Sequence, residues 1–254
     1  MIFIKKFAIP SLSGREKRRV YVYVPDEAKT NSDARYPVLY MFDGHNVFFD
    51  NHATYGKSWG MLEILQNANI PLIVAAVECH HGHNNERLSE YSPFDFSDPE
   101  FGFIKGRGKK TMDWFTKVFK PWVDRSFPSL PDRKFTFIAG SSMGGLMTIY
   151  ALAKYNSIFS RGAALSPAIG FSTKQVVKMI HGSDFMGDSV LYMDYGQKEF
   201  YDDPQAVDGY NKVASALVEE GVLLNSRIVP EGEHTEASWE KQIPFFLETL
   251  FYGL

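Results

Sequence analysis

Short, nearly continuous apolar runs recur along the chain, and longer stretches with helical spacing separate them. The runs are Arg19–Val24, Pro37–Phe42, Leu72–Val77, Lys134–Ala139, Gly162–Leu165, Ser189–Asp194 and Leu223–Val229. Several show little polar alternation, as strands buried on both faces should. Ser58–Gln66, Thr111–Val123, Gly145–Tyr155, Ala206–Glu220 and Glu236–Phe251 carry apolar residues at helical spacing. Strand–helix alternation predicts an α/β fold with a central, mostly parallel sheet and helices on both faces. Met1–Pro10 reads as a further strand, joined through the turn-prone Ser11–Gly14 to the next in an antiparallel hairpin at one edge.

One stretch breaks this rhythm. Residues 79–110 are too many for a tight strand-to-helix loop, and they carry Tyr91, Phe94, Phe96, Phe101 and Phe103. Aromatics at that density predict an ordered insertion, an apolar wall beside the site. No linker or repeat divides the chain, so residues 1–254 read as a single domain.

Composition narrows the function classes. Hydrophobic residues make up 44% and charged residues 22%, ordinary for a folded soluble protein, and aromatics are high at 15%. A net charge of −3 supplies no basic field for a nucleic-acid backbone. The one cysteine, Cys79, excludes an internal disulfide and reads as a buried apolar filler. Lys5 and Lys6 interrupt the first apolar run well before the roughly 7–15 residues of a secretory core. No window reaches the roughly 20 apolar residues of a membrane span, so the expected location is the cytoplasm.

The sharpest chemical signal is Lys134–Gly145, where a strand pattern runs into G-x-S-x-G and then into a helix. That context is a nucleophile elbow and predicts an α/β-hydrolase fold. Spacing selects Ser142, flanked by Gly140 and Gly144, over Ser141. A serine hydroxyl needs a base, and in this fold the acid and then the histidine follow the serine. His181 ends a helical pattern, where free carbonyls are its expected partners. His234 follows the last strand and is the better base. The acid should lie after Ser189–Asp194. Asp194, Glu199, Asp202 and Asp203 all compete there. Glu199, three residues past a turn glycine, has a suitable reach, whereas Asp203 before Pro204 suits a helix N-cap.

Other motifs lead nowhere. His80, His81 and His83 cluster with Cys79, but the spacing matches no closed zinc pattern, and they read as loop histidines near the pocket. Gly102–Thr111 fails the phosphate-loop pattern, because Phe103 stands at its first glycine and Lys110 separates Lys109 from Thr111. No dinucleotide fingerprint follows a strand. Arg87 is a candidate for an anionic substrate group or a local pair with Glu90, Tyr91 reads as packing and is a further candidate to contact substrate, and Trp239 reads as packing of the last helix.

These residues resemble the putative esterase family of α/β-hydrolases, which includes enterochelin-type siderophore esterases, feruloyl and acetyl-xylan esterases, esterase D and the mycolyltransferases. The similarity is carried by RSFPSLPDRKFTFIAGSSMGG at Arg125–Gly145, YMFDGHNVF at Tyr40–Phe48, YGKSWG at Tyr55–Gly60, RLSEYSP at Arg87–Pro93 and GEHTEASW at Gly232–Trp239. The resemblance implies Ser142 as nucleophile, His234 in G-x-H-x-x-x-x-W as base, and Glu199 in a G-x-x-E/D turn as the acid. It implies an oxyanion hole from the N–H of Met143 and one of Asp43 or Gly44, and a position near the pocket for Trp59. The sequence departs from the family at Phe42, His45 and Ser141, where His, Gln and Leu are common.

The expected reaction is hydrolysis of a small-molecule carboxylic ester through an acyl-enzyme, with no cofactor or metal required. The alternatives are acyl transfer on the same fold, or a hydrolase-fold binding protein without turnover. Oligomeric state is not legible.

Overall fold

The computed structural model describes residues 1–82, 85–202 and 204–254, without the side chains of 201–205. Eight strands form one sheet: β1 (Ile2–Ala8), β2 (Lys17–Tyr23), β3 (Val38–Met41), β4 (Ile73–Val77), then β7 (Thr136–Ser141), β8 (Arg161–Leu165), β9 (Val190–Gly196) and β10 (Leu223–Val229). The remaining two, β5 (Phe96–Asp98) and β6 (Gly102–Ile104), pair apart from it. The order is β1-β2-β4-β3-β7-β8-β9-β10. β1 and β2 form the expected antiparallel hairpin, β2 also runs antiparallel to β4, and every later pairing is parallel.

The unbroken apolar runs are explained by the layers. Every residue of β3, β4, β7, β8 and β9 is buried. Successive side chains point to opposite faces. Val38, Tyr40 and Phe42 enter a core shared with the helices Met143–Lys154 and Thr173–His181, whereas Leu39 and Met41 join Trp239, Phe246 and Leu250 on the other face. The outer strands β1 and β10 are largely exposed, and Lys5 and Lys6 on β1 discourage pairing with another chain.

Much of the aromatic excess sits away from the insertion. Trp114, Phe115, Phe119 and Trp122 stack with one another and against Phe7, Tyr40 and Phe127. They lie on one helical stretch, Gly108–Ser126, whose middle, Phe115–Phe119, widens to a π turn. The widening falls just before Pro121, which has no N–H to offer the preceding turn. Within the insertion, a short helix, Glu86–Glu90, precedes the β5–β6 hairpin. A buried ion pair between Arg18 and Glu90 ties it to the sheet. Among the described residues, no helix is long and apolar enough to cross a membrane.

Candidate active site

The centre of the sheet ends in a forced turn. Ser142 joins β7 to its helix at φ 56° and ψ −122°, a conformation L-residues avoid. The backbone holds it there: its N–H donates to the Leu165 carbonyl at 2.9 Å, and its carbonyl accepts from Leu146 and Ala168 at 3.1 and 2.9 Å. Gly140 is a steric necessity, since a Cβ on it would lie 2.7 Å from the Gly144 backbone, and a Cβ on Gly144 would crowd Phe42 at 3.1 Å. Met143 is the first helical residue, so its N–H lies outside the intrahelical ladder at the positive end of the helix.

His234 and Glu199 meet because two loops touch. Gly196 ends β9 and Gly232 follows β10. A Cβ on Gly196 would lie 2.4 Å from the Gly232 carbonyl oxygen, and Lys198 N–H donates to that oxygen at 3.0 Å. This closure sets His234 Nδ1 2.6 Å from Glu199 Oε2. Burial pulls the Glu199 carboxyl upward, but the hydrogen bonds from His234, Ser166 and Gly196 and the adjacent imidazole outweigh it and hold it below the usual value. An ionised carboxylate only accepts, so the proton of this hydrogen bond sits on Nδ1.

Of the competing acids, only the Asp194 side chain lies among the described residues. Asp194 is buried in β9, where it accepts from Tyr192 Oη at 2.8 Å and from the Ser166 amide at 3.1 Å. Burial pushes its carboxyl up to about 7. The Asp202 side chain and Asp203 lie outside the described residues, as does His83. His181 pairs with Glu220 at 2.9 Å rather than with free carbonyls, and His80 with Glu16 at 2.9 Å.

Ser142 and His234 open onto a cleft of about 870 Å³, also lined by Asp43, His45, Arg87, Phe101 and Glu236. A second cleft of about 800 Å³ meets it at His234 and carries Glu199, Phe171 and Lys174. Several expected roles change. Arg87 lines the first cleft, but its Nε and Nη2 fork onto Asp43 at 2.8 and 2.7 Å, and Glu90 is paired with Arg18 instead. Burial would raise the Asp43 carboxyl, yet the Arg87 charge and hydrogen bonds hold it below its ordinary value. The Asp43 amide donates to Tyr91 Oη at 3.2 Å, so of the two expected oxyanion donors this one already has a partner. Gly44 starts a 3₁₀ turn, Gly44–Asn46, pressed against the β4 backbone. Tyr91 is fully buried beneath that loop, and Trp59 is buried against Phe246 and against Trp239, which lines the cleft, whereas neither Tyr91 nor Trp59 lines it. Of the five aromatics in the insertion, Phe101 reaches the cleft, whereas Phe96 stacks on Phe171 and Phe103 faces solvent.

Sequence reasoning missed Ser166 and Glu236. Ser166, at φ 41°, donates to Glu199 and accepts from Trp239 Nε1 at 3.0 Å. Glu236, buried beside the cleft, accepts from Asn46 Nδ2 at 2.9 Å, and burial raises its carboxyl. The GEHTEASW segment contained Glu236, but nothing in it marked the contact with Asn46.

Sheet order, elbow and late histidine define an α/β-hydrolase. The chain belongs to the putative esterase family, whose model matches residues 11–250, and it is an esterase and hydrolase. It is 25% identical over 191 residues to the uncharacterized protein YbbA of Bacillus subtilis (strain 168), covering 72% of this chain and 69% of that one. The fold is similar to that of an IroE-like serine hydrolase from Shewanella oneidensis, at TM-score 0.73 and 18% identity, covering 98% of this chain and 79% of that one. It is also similar to the siderophore hydrolase EstA from Aspergillus nidulans, at TM-score 0.71 and 19% identity, covering 96% and 93%.

Proposed function

We propose that the protein hydrolyses a small-molecule carboxylic ester with Ser142 as nucleophile, His234 as base and Glu199 as the acid that orients it. The observation that carries this reading is the Glu199-held imidazole of His234 opening onto the same cleft as the strained Ser142. His234 Nε2 takes the proton from Ser142 Oγ as the oxygen attacks the ester carbonyl. The ionised Glu199 stabilises the imidazolium that forms. The developing oxyanion is met by the N–H of Met143, at the positive end of its helix, and by the Gly44 amide. The alkoxide leaves with the proton from His234, and water activated by His234 then cleaves the acyl-enzyme. The cleft volume of about 870 Å³ suits a small organic ester.

A panel of p-nitrophenyl and aryl esters tests the reading. Ser142→Ala should abolish turnover with the fold intact, and a fluorophosphonate should label Ser142. Turnover surviving in Ser142→Ala, or a probe bound elsewhere, sinks it.

A further inference from the structure

Of the histidines beside Cys79 in the sequence, His81 stays near it in space and His80 does not. His80 turns away to Glu16. His45, from the loop after β3, comes in instead, and His45, Cys79 and His81 bring one donor atom each to within 4.8 Å of one another. All three line the wall of the larger cleft. The His45 and His81 rings meet edge to face with centroids 4.4 Å apart.

His45 supplies a second, independent sign. It is 4% exposed, and its Nδ1 is buried without a hydrogen-bond partner. A buried polar atom in that state is costly unless something fills its lone pair. Its other nitrogen, Nε2, lies 3.0 Å from Thr54 Oγ1. With Nε2–H donated to that hydroxyl, Nδ1 is the neutral donor face, the arrangement that orients histidine ligands in metal sites. Among the described residues, this is where such side chains converge.

We propose that His45, Cys79 and His81 form a zinc-class metal site in the wall of the cleft. Two imidazoles and a thiolate suit a borderline-soft divalent ion, and three protein ligands leave a fourth position for water. In a tetrahedral site, donors stand about 3.5 Å apart, so donors already within 4.8 Å of one another have only a small distance to close. Binding replaces the Cys79 S–H bond by S–metal and releases one proton to solvent, with no redox change. The site stands whether or not Ser142 is the nucleophile.

Metal-free protein titrated with Co²⁺ tests the proposal through the thiolate-to-cobalt charge-transfer band, followed by displacement with Zn²⁺. One equivalent should bind and give the band, and Cys79→Ser should lose it. His81→Ala and His45→Ala should weaken Zn²⁺ binding by at least about 10-fold, while His80→Ala should not. His81 is exposed, so its variant keeps the test decisive even where Cys79→Ser fails to fold. No saturable binding, a band retained in Cys79→Ser, or unchanged affinity in His81→Ala overturns the site. So does a loss caused by His80→Ala.

Discussion

The Ser166 hydroxyl donates to Glu199 Oε1 at 2.6 Å, on the carboxylate oxygen that His234 does not use. Trp239 donates its indole N–H to the same hydroxyl and sets its ring edge-on to His234, centroids 5.0 Å apart. Glu199 is therefore clamped from one side by the group whose partner packs His234. Ser166→Ala removes a donor from Glu199 and strands the Trp239 N–H, a cost of about 1–3 kcal/mol. The expected outcome is a lower Tm and a kcat about 10-fold down, equivalent to about 1.4 kcal/mol, with KM kept. Steady-state kinetics on a p-nitrophenyl ester read this directly, and an unchanged kcat shows that Glu199 is held well enough without the clamp.

Glu199→Gln tests the orienting role itself. The amide keeps the volume but favours the wrong imidazole tautomer and cannot stabilise the cation, so kcat should fall by about 10⁴. A stability effect accompanies it. The Glu199 carboxyl is depressed in the fold, so its contribution is full above the ordinary glutamate value and is lost as pH falls through the lowered one. The Tm of wild type should therefore fall more steeply with acid than that of Glu199→Gln. Parallel melts across the acid range decide it, and coincident slopes count against the carboxylate being held ionised.

Asp194 carries the opposite sign. Its carboxyl is raised to about 7 by burial, so between its ordinary value and 7 the folded state holds a proton that the unfolded chain has released. Its ionisation penalty therefore grows as pH rises through that window and levels off above it. Asp194→Asn should be least favourable relative to wild type in acid and gain on it towards pH 7, with the difference constant beyond. Chemical denaturation at several pH values measures this, and a pH-independent difference refutes it.

Much of this was legible in the sequence, for a physical reason. Strands buried on both faces leave unbroken apolar runs, and Gly140 of the elbow is forced by a 2.7 Å approach to the Gly144 backbone. Glu199 and His234 could be placed because each sits a fixed step from a glycine, and Gly196 and Gly232 are the contact that joins them. The rest depends on partners distant in the chain. Arg87 reads in the sequence as a local partner of Glu90 or a binder of an anionic group, yet it crosses to Asp43, while Glu90 crosses to Arg18. Tyr91 and Trp59 carry family motifs but lie a layer beneath the cleft. His45 and Cys79 show nothing in the linear spacing, because the sheet alone brings their loops together.

The Arg87–Asp43 fork gives the last prediction. Asp43 sits at φ 53° at the start of the loop that holds Gly44, and its side chain is buried, while that of Arg87 is 31% exposed. Arg87→Ala leaves a buried carboxylate without its cation, and breaking such a pair costs about 3–5 kcal/mol, towards the lower end here because water reaches Arg87. In wild type, the depressed Asp43 carboxyl stabilises the fold above its ordinary value. In the variant, the Arg87 charge and hydrogen bonds no longer oppose burial and only the weaker effects of His45 and Cys79 remain, so the carboxyl rises, and the penalty is largest at neutral pH and shrinks once the group takes up a proton. The Tm gap between wild type and Arg87→Ala should therefore narrow as pH falls from neutral towards about 4.5. Arg87→Lys keeps the charge but not the fork, so it should recover part of the Tm while kcat stays low, since the loop bearing Gly44 is no longer held at two points. A gap that widens in acid, or full recovery of kcat by lysine, shows that the fork does not position the loop.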